Sequence, residues 1–316
     1  MAAVLNTNAA SLYASKNLQA AQSKMADSVE RLSSGLRINR AKDDAAGLGI
    51  ANALTQQING ANQGVRNLND GISMVQTAEG AIAAAQEMGQ RILTLATQGA
   101  NGTLGSTERL AIQSEMRQLI TAIDGIGTRT KFSGNSLLSQ PIAGGSPTGF
   151  TLQVSNNTTD TITLASSAFE RIGAGSTTGA SQQGTIASDV GWVTTGAYSG
   201  RAAALLNEIN HTDTDSDTSD TAVAQFRDIQ TAADTYIKAL STQRSLLGAY
   251  QNQIEFTVSN ITELSSNLSA ARSNVQDTDY ASETASLTKG QILQQAATAM
   301  LAQANQMPNV ILSLLK

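Results

Sequence analysis

The sequence has no cysteine, one histidine and three prolines, and aromatic residues make up 3% of its 316 positions. Each scarcity removes a class of function. Without cysteine there is no disulfide and no thiolate chemistry, in any compartment. A lone histidine leaves little for a zinc site or for acid–base catalysis. Few rings deprive a thick globular core of its usual large fillers. Packing must then be thin and built from Leu, Ile, Val and Ala, as in helix bundles and coiled coils. Charge is sparse as well, at 14% of residues with a net charge of −5. No basic face offers itself to a phosphate backbone, so no nucleic acid is expected as a partner. No run reaches the roughly 18 apolar residues of a membrane span, which predicts no membrane insertion. The start, MAAVLNTNAASLYASK, has neither the basic region nor the apolar run of a secretory signal peptide. The motifs GxxxxGKS/T, HExxH and GxSxG do not occur, so neither an enzyme nor a cofactor is expected.

What the sequence does contain is helical periodicity. Over about residues 4 to 36, Leu5 and Leu12 stand seven apart, as do Leu18, Met25 and Leu32 in turn. The far end mirrors this stripe. There Leu293, Ala297, Met300, Ala304 and Met307 step by four and three, and Pro308 is expected to interrupt the helix before NVILSLLK. Between the ends, Ile58, Ala61, Val65, Leu68, Ile72 and Val75 begin a stripe that predicts a helix of about forty residues ending near Gly99. A second helix is expected from about Thr107, with Ile112, Met116, Leu119 and Ile123 on one face. A third runs from about Thr221 to Val275, carrying Leu247, Ile254, Ile261, Leu264 and Leu268. The stretch GFTLQVSNNTTDTITLAS alternates, turns and alternates again, which is a β-hairpin signal. From Gly173 to Gly200 the chain is rich in Gly, Ser and Thr, as a loop or small exposed β element would be.

The fold class that follows is mainly α: an elongated coiled-coil or helix-bundle rod formed by both chain ends, with a small β-hairpin region in the middle. Five segments are expected. Residues 1–44 and 276–316 would form the two halves of an inner coiled coil, and 45–140 and 201–275 the two halves of a helical rod. Residues 141–200 would be a short variable region.

Three local features were weighed for chemistry. In SSGLRINRAKDDAAG, residues 33–47, the side chains Arg37, Arg40, Lys42, Asp43 and Asp44 crowd between two glycines. Adjacent carboxylates point apart on a helix, and an anion loop needs a longer glycine-rich turn. The cluster is therefore expected to be a joint, with Asp43 or Asp44 capping the next helix and the charged groups fixing contacts between domains or subunits. The loop HTDTDSDTSD, residues 211–220, spaces Asp213, Asp215 and Asp217 as a calcium loop does. Thr218 stands where that loop needs glycine and Ala224 where it needs glutamate, so a solvated acidic turn is the plainer reading. Asn-x-Ser/Thr triplets abound by chance in so Asn- and Thr-rich a chain.

The two terminal seams carry a physical demand of their own. Alanine buries little area per turn, so one pairing of the two ends is weak. Both termini are expected to be largely disordered in the free monomer and to order only when neighbouring subunits cover them, as in coupled folding and binding. A head-to-tail contact that does not close makes an open helical filament.

Four long stretches in matching order carry a family resemblance. They are MAAVLNTNAASL, ERLSSGLRINRAKDDAAGLGIANAL, NLNDGISMVQTAEGAI and the end from SNLSAARSNVQDTDYA to NVILSLLK. Over about residues 1–140 and 221–316 the chain closely resembles bacterial flagellin. The resemblance implies a subunit that is exported unfolded, polymerises with itself into an extracellular filament and serves swimming motility. It also implies as partners the export apparatus, an export chaperone at the C-terminus, and the filament cap and hook-junction proteins. Arg91 and Leu95 in MGQRILTLATQ, with Glu115 in IQSEM, match the family's stretch gripped by a host Toll-like receptor. Arg91 and Leu95, four apart, are expected on one helical face. Sugar on Ser or Thr of residues 141–200 is a further implication. A hook–filament junction protein, and a secreted coiled-coil adhesin or effector, are the alternative readings.

Overall fold

The computed structural model describes residues 8–138, 149–173, 209 and 219–314. Leu5, His211, the Asp213–Asp217 loop and much of the 141–200 region lie outside the described residues. In chain order the elements are α1 (Ala9–Ser34), α2 (Ala45–Gly99), α3 (Ser106–Arg129), β1 (Lys131–Phe132), β2 (Asn135–Ser136), β3 (Phe150–Gln153), β4 (Thr161–Leu164), a 3-10 turn (Ser166–Phe169), α4 (Ser219–Gln276) and α5 (Tyr280–Leu314). The mainly α class with a small hairpin region is therefore the one that periodicity predicts. The chain divides into two units, Met1–Asn59 with Leu264–Lys316, and Gly60–Glu263.

The helix ends follow local chemistry. The Asn8 side chain accepts from Ser11 N–H and caps α1, and Gly35 closes it at φ 73° with its N–H on the Arg31 carbonyl. The left-handed turn at Gly35 is one that a Cβ would strain. Ahead of α2, the Asp44 carboxylate accepts from Gly47 N–H at 2.9 Å, a cap of the expected kind. Helix α2 spans 55 residues rather than about forty. Its first turns, AAGLGIANAL, carry small residues where the stripe would show, so the apolar pattern is faint there. Helix α5 also outruns expectation and continues past Pro308 to Leu314. Proline fits the helical φ and removes one N–H, which here does not end the helix.

In the second unit, α2 is the spine and two helices run antiparallel to it. Along α4, Phe226 meets Gly99, Tyr236 meets Gly89 and Arg244 meets Glu79. Along α3, Arg109 reaches the Gly99 carbonyl and Glu115 reaches Arg91. Of the predicted stripes, Leu68, Val75, Met116, Ile123, Leu247 and Ile254 are buried in the shared core, whereas Leu264 is 48% exposed. Strands β3 and β4 pair antiparallel from Phe150 opposite Leu164 to Gln153 opposite Thr161. They form the hairpin that the alternation predicts. A second hairpin, β1–β2, was not expected. Ser133 (φ 50°) and Gly134 (φ 84°) make its two-residue turn, and strands of two residues are too short to alternate.

The β3–β4 hairpin lies against α2 in a seat cut by glycines. A Cβ on Gly64 would stand 1.6 Å from the Val154 carbonyl oxygen, and one on Gly60 would stand 2.9 Å from Asn156 N. Between them and Gly71, the Asn67 amide donates to the Gln153 carbonyl at 3.0 Å. From the other side α4 holds the chain that follows. Buried Gln243 donates to the Ala168 and Glu170 carbonyls, Tyr236 donates to Ile172, and Tyr250 accepts from Ala165 N–H.

Gly64→Ala is expected to destabilise the monomer, because about 1–3 kcal/mol of overpacking exceeds the roughly 1 kcal/mol gained in helix propensity. Gly80→Ala, at a position where a Cβ would meet nothing within 4 Å, should instead stabilise by up to about 1 kcal/mol. Urea denaturation of both variants gives the two signs.

Candidate assembly interface

Within the first unit, α1 and α5 pair antiparallel. The Asn8 amide donates to the Ala304 carbonyl at 2.7 Å, Met25 lies 3.5 Å from where a Cβ on Gly290 would stand, and Arg31 meets Glu283 at 3.8 Å. Burial along α1 falls on Ser11, Ala14, Leu18, Ala21, Met25, Ser28 and Leu32, a strict three-four alternation. Along α5 it falls on Glu283, Leu287, Gly290, Gln294, Ala297, Leu301 and Ala304, again by fours and threes. Two heptad seams facing each other are a coiled coil. Its most buried positions are Ala14, Ala21, Ser28, Gly290 and Ala304, all small.

The predicted seam residues divide. Leu18, Met25, Leu32, Ala297 and Ala304 lie in the seam. Leu12, Leu293 and Met300 do not: they are 71%, 46% and 65% exposed. The correction has a physical reason. Close helix approach needs small side chains at the contact, so the large residues are displaced to its flanks. Met307 lies on α5, and nothing is described of its side chain. Tyr13, Val29 and Ile292 are exposed as well, so the pair leaves large apolar side chains uncovered on more than one side. On one side lies a groove of about 800 Å³, floored by Ala14, Ala21 and Ala297 and walled by Tyr13, Leu293 and Met300.

The charged cluster is a strap whose described contacts tie the two ends of the first unit. Leu36 and Asp277 form an antiparallel bridge, flanked by Arg37 N–H on the Gln276 carbonyl and Thr278 N–H on the Gly35 carbonyl. The Arg37 guanidinium adds a bond to the Val275 carbonyl at 2.6 Å. Arg40 pairs with Glu30 at 2.7 Å, an exposed contact worth about 0–1 kcal/mol. The Asp43 carboxylate accepts from the backbone N–H groups of Arg40 and Asn39. The Arg40 bond foremost, helped by nearby Lys42, holds the Asp43 carboxyl below the ordinary carboxylate range. Lys42 itself is exposed.

In the second unit, Arg91 and Glu115 form an exposed ion pair at 2.7 Å between α2 and α3. Leu95, one turn on from Arg91, is not part of this exposed surface. It is 2% exposed and belongs to the core, so the spacing of four does not bring both side chains to the surface. Sequence reasoning missed buried Arg109, which donates to the Gly99 and Asn101 carbonyls and so satisfies the end of α2. An arginine three residues into a helix that follows a glycine turn was the only available signal.

Two family models match this chain: the bacterial flagellin N-terminal helical region over residues 5–142 and the C-terminal helical region over residues 230–315. Flagellin B of Vibrio cholerae serotype O1 is 35% identical over 377 aligned positions, covering 100% of both chains. Flagellin of Bacillus subtilis is 37% identical over 319 positions, covering 99% of each. Among solved structures, one of a Vibrio parahaemolyticus protein assigned to the flagellar hook-associated group has a TM-score of 0.51 at 13% identity. It covers 74% of this chain and 100% of that one, a likeness of fold alone.

Leu95→Ala is expected to cost about 2–5 kcal/mol as a core deletion, and Arg91→Ala no more than about 1 kcal/mol as loss of an exposed pair, both read by urea denaturation. The Asp43 carboxyl should titrate below an ordinary aspartate when followed by NMR. Its contribution to the strap is present above the unfolded carboxylate pKa and is lost as pH falls through the depressed value.

Proposed function

This chain belongs to the bacterial flagellin family and is a structural subunit of the flagellar filament; from that premise we propose that it polymerises through the paired helices at its two ends. The observation that carries this reading is the unfilled groove of the α1–α5 pair, walled by Tyr13, Leu293 and Met300, with further apolar side chains exposed around it. Tyr13, Met300, Ile292 and Leu12 are each more than half exposed. The most buried positions of the seam, Ala14, Ala21, Ser28, Gly290 and Ala304, are too small to bury much area. Neighbouring copies supply the missing cover, and the two helices gain their full order in the polymer. The inner coiled coil in this reading is 1–44 with 276–316, and the rod is 45–140 with 201–275.

The finer partners belong to the same proposal. The chain leaves the cell unfolded through the export apparatus, with a chaperone on the amphipathic C-terminal stretch, and joins cap and hook-junction proteins at the filament ends. A thin, cysteine-free chain built from helices suits threading. Among the described residues no helix is long and apolar enough to cross a membrane. The ion pair of Arg91 and Glu115 is the exposed part of the surface offered to a host Toll-like receptor by the free subunit, with Leu95 supporting it from the core.

Salt-induced assembly tests the central claim. The unsubstituted chain should give long filaments by electron microscopy, with helix content by circular dichroism higher in the polymer than in the monomer. Met300→Glu should leave the monomer's spectrum unchanged and raise the critical concentration about tenfold or more, as loss of one buried methionine implies. Equal helix content in both states would sink the ordering step, and normal assembly by Met300→Glu would remove this face from the interface.

A further inference from the structure

The second unit exposes an aromatic ring that its own fold does not use. Phe256 on α4 is 78% exposed, the most exposed large apolar side chain among the described residues. The chain has five phenylalanines, and this one faces solvent while Phe169 and Phe226 are buried. It sits on a stripe of exposed residues, Ala249, Asn252, Phe256, Ser259 and Glu263, spaced three and four and hence on one helix face. Between Arg244 and Arg272 this helix carries no base, so Glu263 makes the face acidic.

Helix α3 presents a second exposed stripe, Leu110, Ser114, Arg117 and Thr121, spaced four, three and four. Leu110 is 47% exposed. The two stripes match in register and oppose in charge. Each has an apolar knob with a charge seven residues further on, Phe256 with Glu263 and Leu110 with Arg117, a rise of about 10.5 Å. Neither Glu263 nor Arg117 has an ion-pair partner among the described residues. Both helices run antiparallel to α2, by the contacts of Gly99 with Phe226 and Arg109, so they run parallel to each other. Copies in a helical polymer are related by rotation about one axis and rise along it. Helices lying along that axis therefore stay parallel from copy to copy.

We propose that the Phe256 face of α4 in one subunit packs on the Leu110 face of α3 in a second copy, with Glu263 opposite Arg117. A second copy is the occupant because this one chain carries both halves, apolar against apolar and acid against base at the same spacing. The contact is heterologous, so it extends a filament rather than closing a dimer. It rests on the filament reading and adds to it a lateral contact outside the terminal helices.

The cysteine-free chain makes a direct test possible. Phe256→Cys and Leu110→Cys each introduce one thiol at an exposed position, and both monomers should keep the parent circular dichroism. In filaments, Cys at position 256 should react with maleimide about tenfold or more slowly than in the monomer. Mixed filaments of the two variants, treated with a short bifunctional maleimide, should yield dimers that filaments of either variant alone do not. Arg117→Glu should weaken assembly by up to about fivefold, the scale of an exposed pair, and combining it with Glu263→Arg should restore it. Filaments whose thiol at 256 reacts as fast as in the monomer, or is protected without mixed dimers, overturn the proposal. An unsubstituted chain that forms no filaments sinks the filament reading first and this inference with it.

Discussion

Ala304 takes a hydrogen bond from Asn8, 296 positions earlier in the chain, and the most buried positions of the coiled coil that begins there are alanine, serine and glycine. Ala14, Ala21, Ser28 and Gly290 let two backbones approach closely, yet they withdraw little apolar area from water. The first unit thus has good geometry and a thin energetic margin. Leu12, Val29 and Ile292 cannot be covered by a partner helix already committed to the small face. The pair is specific before it is strong, and strength must come from outside the chain.

The second unit is built on the opposite principle. Its core is built mainly from Leu, Ile, Met and Phe on three helices, and buried polar side chains tie its segments together. Arg109 satisfies the end of α2, and Gln243 with two tyrosines holds the segment after β4. The glycines of α2 cost helix propensity and return a backbone-deep seat for the hairpin. This unit can hold its shape alone and present fixed surfaces, among them the Arg91–Glu115 pair and the Phe256 stripe.

The difference between the units also decides how much could be read from residues alone. Where large apolar side chains make the core, their spacing located α2, α3 and α4, and Leu68, Met116 and Leu247 proved buried as the stripes predict. At the chain ends the same reasoning chose Leu18, Met25 and Leu32, which lie in the seam, but also Leu12, Leu293 and Met300, which do not. The signal there lay in alanine, serine and glycine, whose burial depends on partner distance and not on their own hydropathy. Leu95 misled for a related reason: spacing reports the angle around a helix but not how wide the buried sector is. The β1–β2 hairpin had too few residues to show a period. The break between α1 and α2 was legible, because Gly35 and Asp44 mark a helix end and a helix start. The strap's bonds to residues 275–278 could not be seen, since main-chain pairing leaves no pattern in side chains.

That last property sets what kind of change the strap can absorb. Leu36 and Asp277, Arg37 and Gln276, Thr278 and Gly35 meet through main-chain groups, and Gly35 alone, at φ 73°, is restricted in the side chain it could carry. Replacement of most residues there leaves the bonds in place. Insertion or deletion does not, because the strap is the origin from which both heptads are counted, toward Ser11 along α1 and toward Ala304 along α5. One extra residue between strap and seam turns a helix by about 100° and exchanges its alanine face for a bulky one. Length, more than identity, is what this joint conserves.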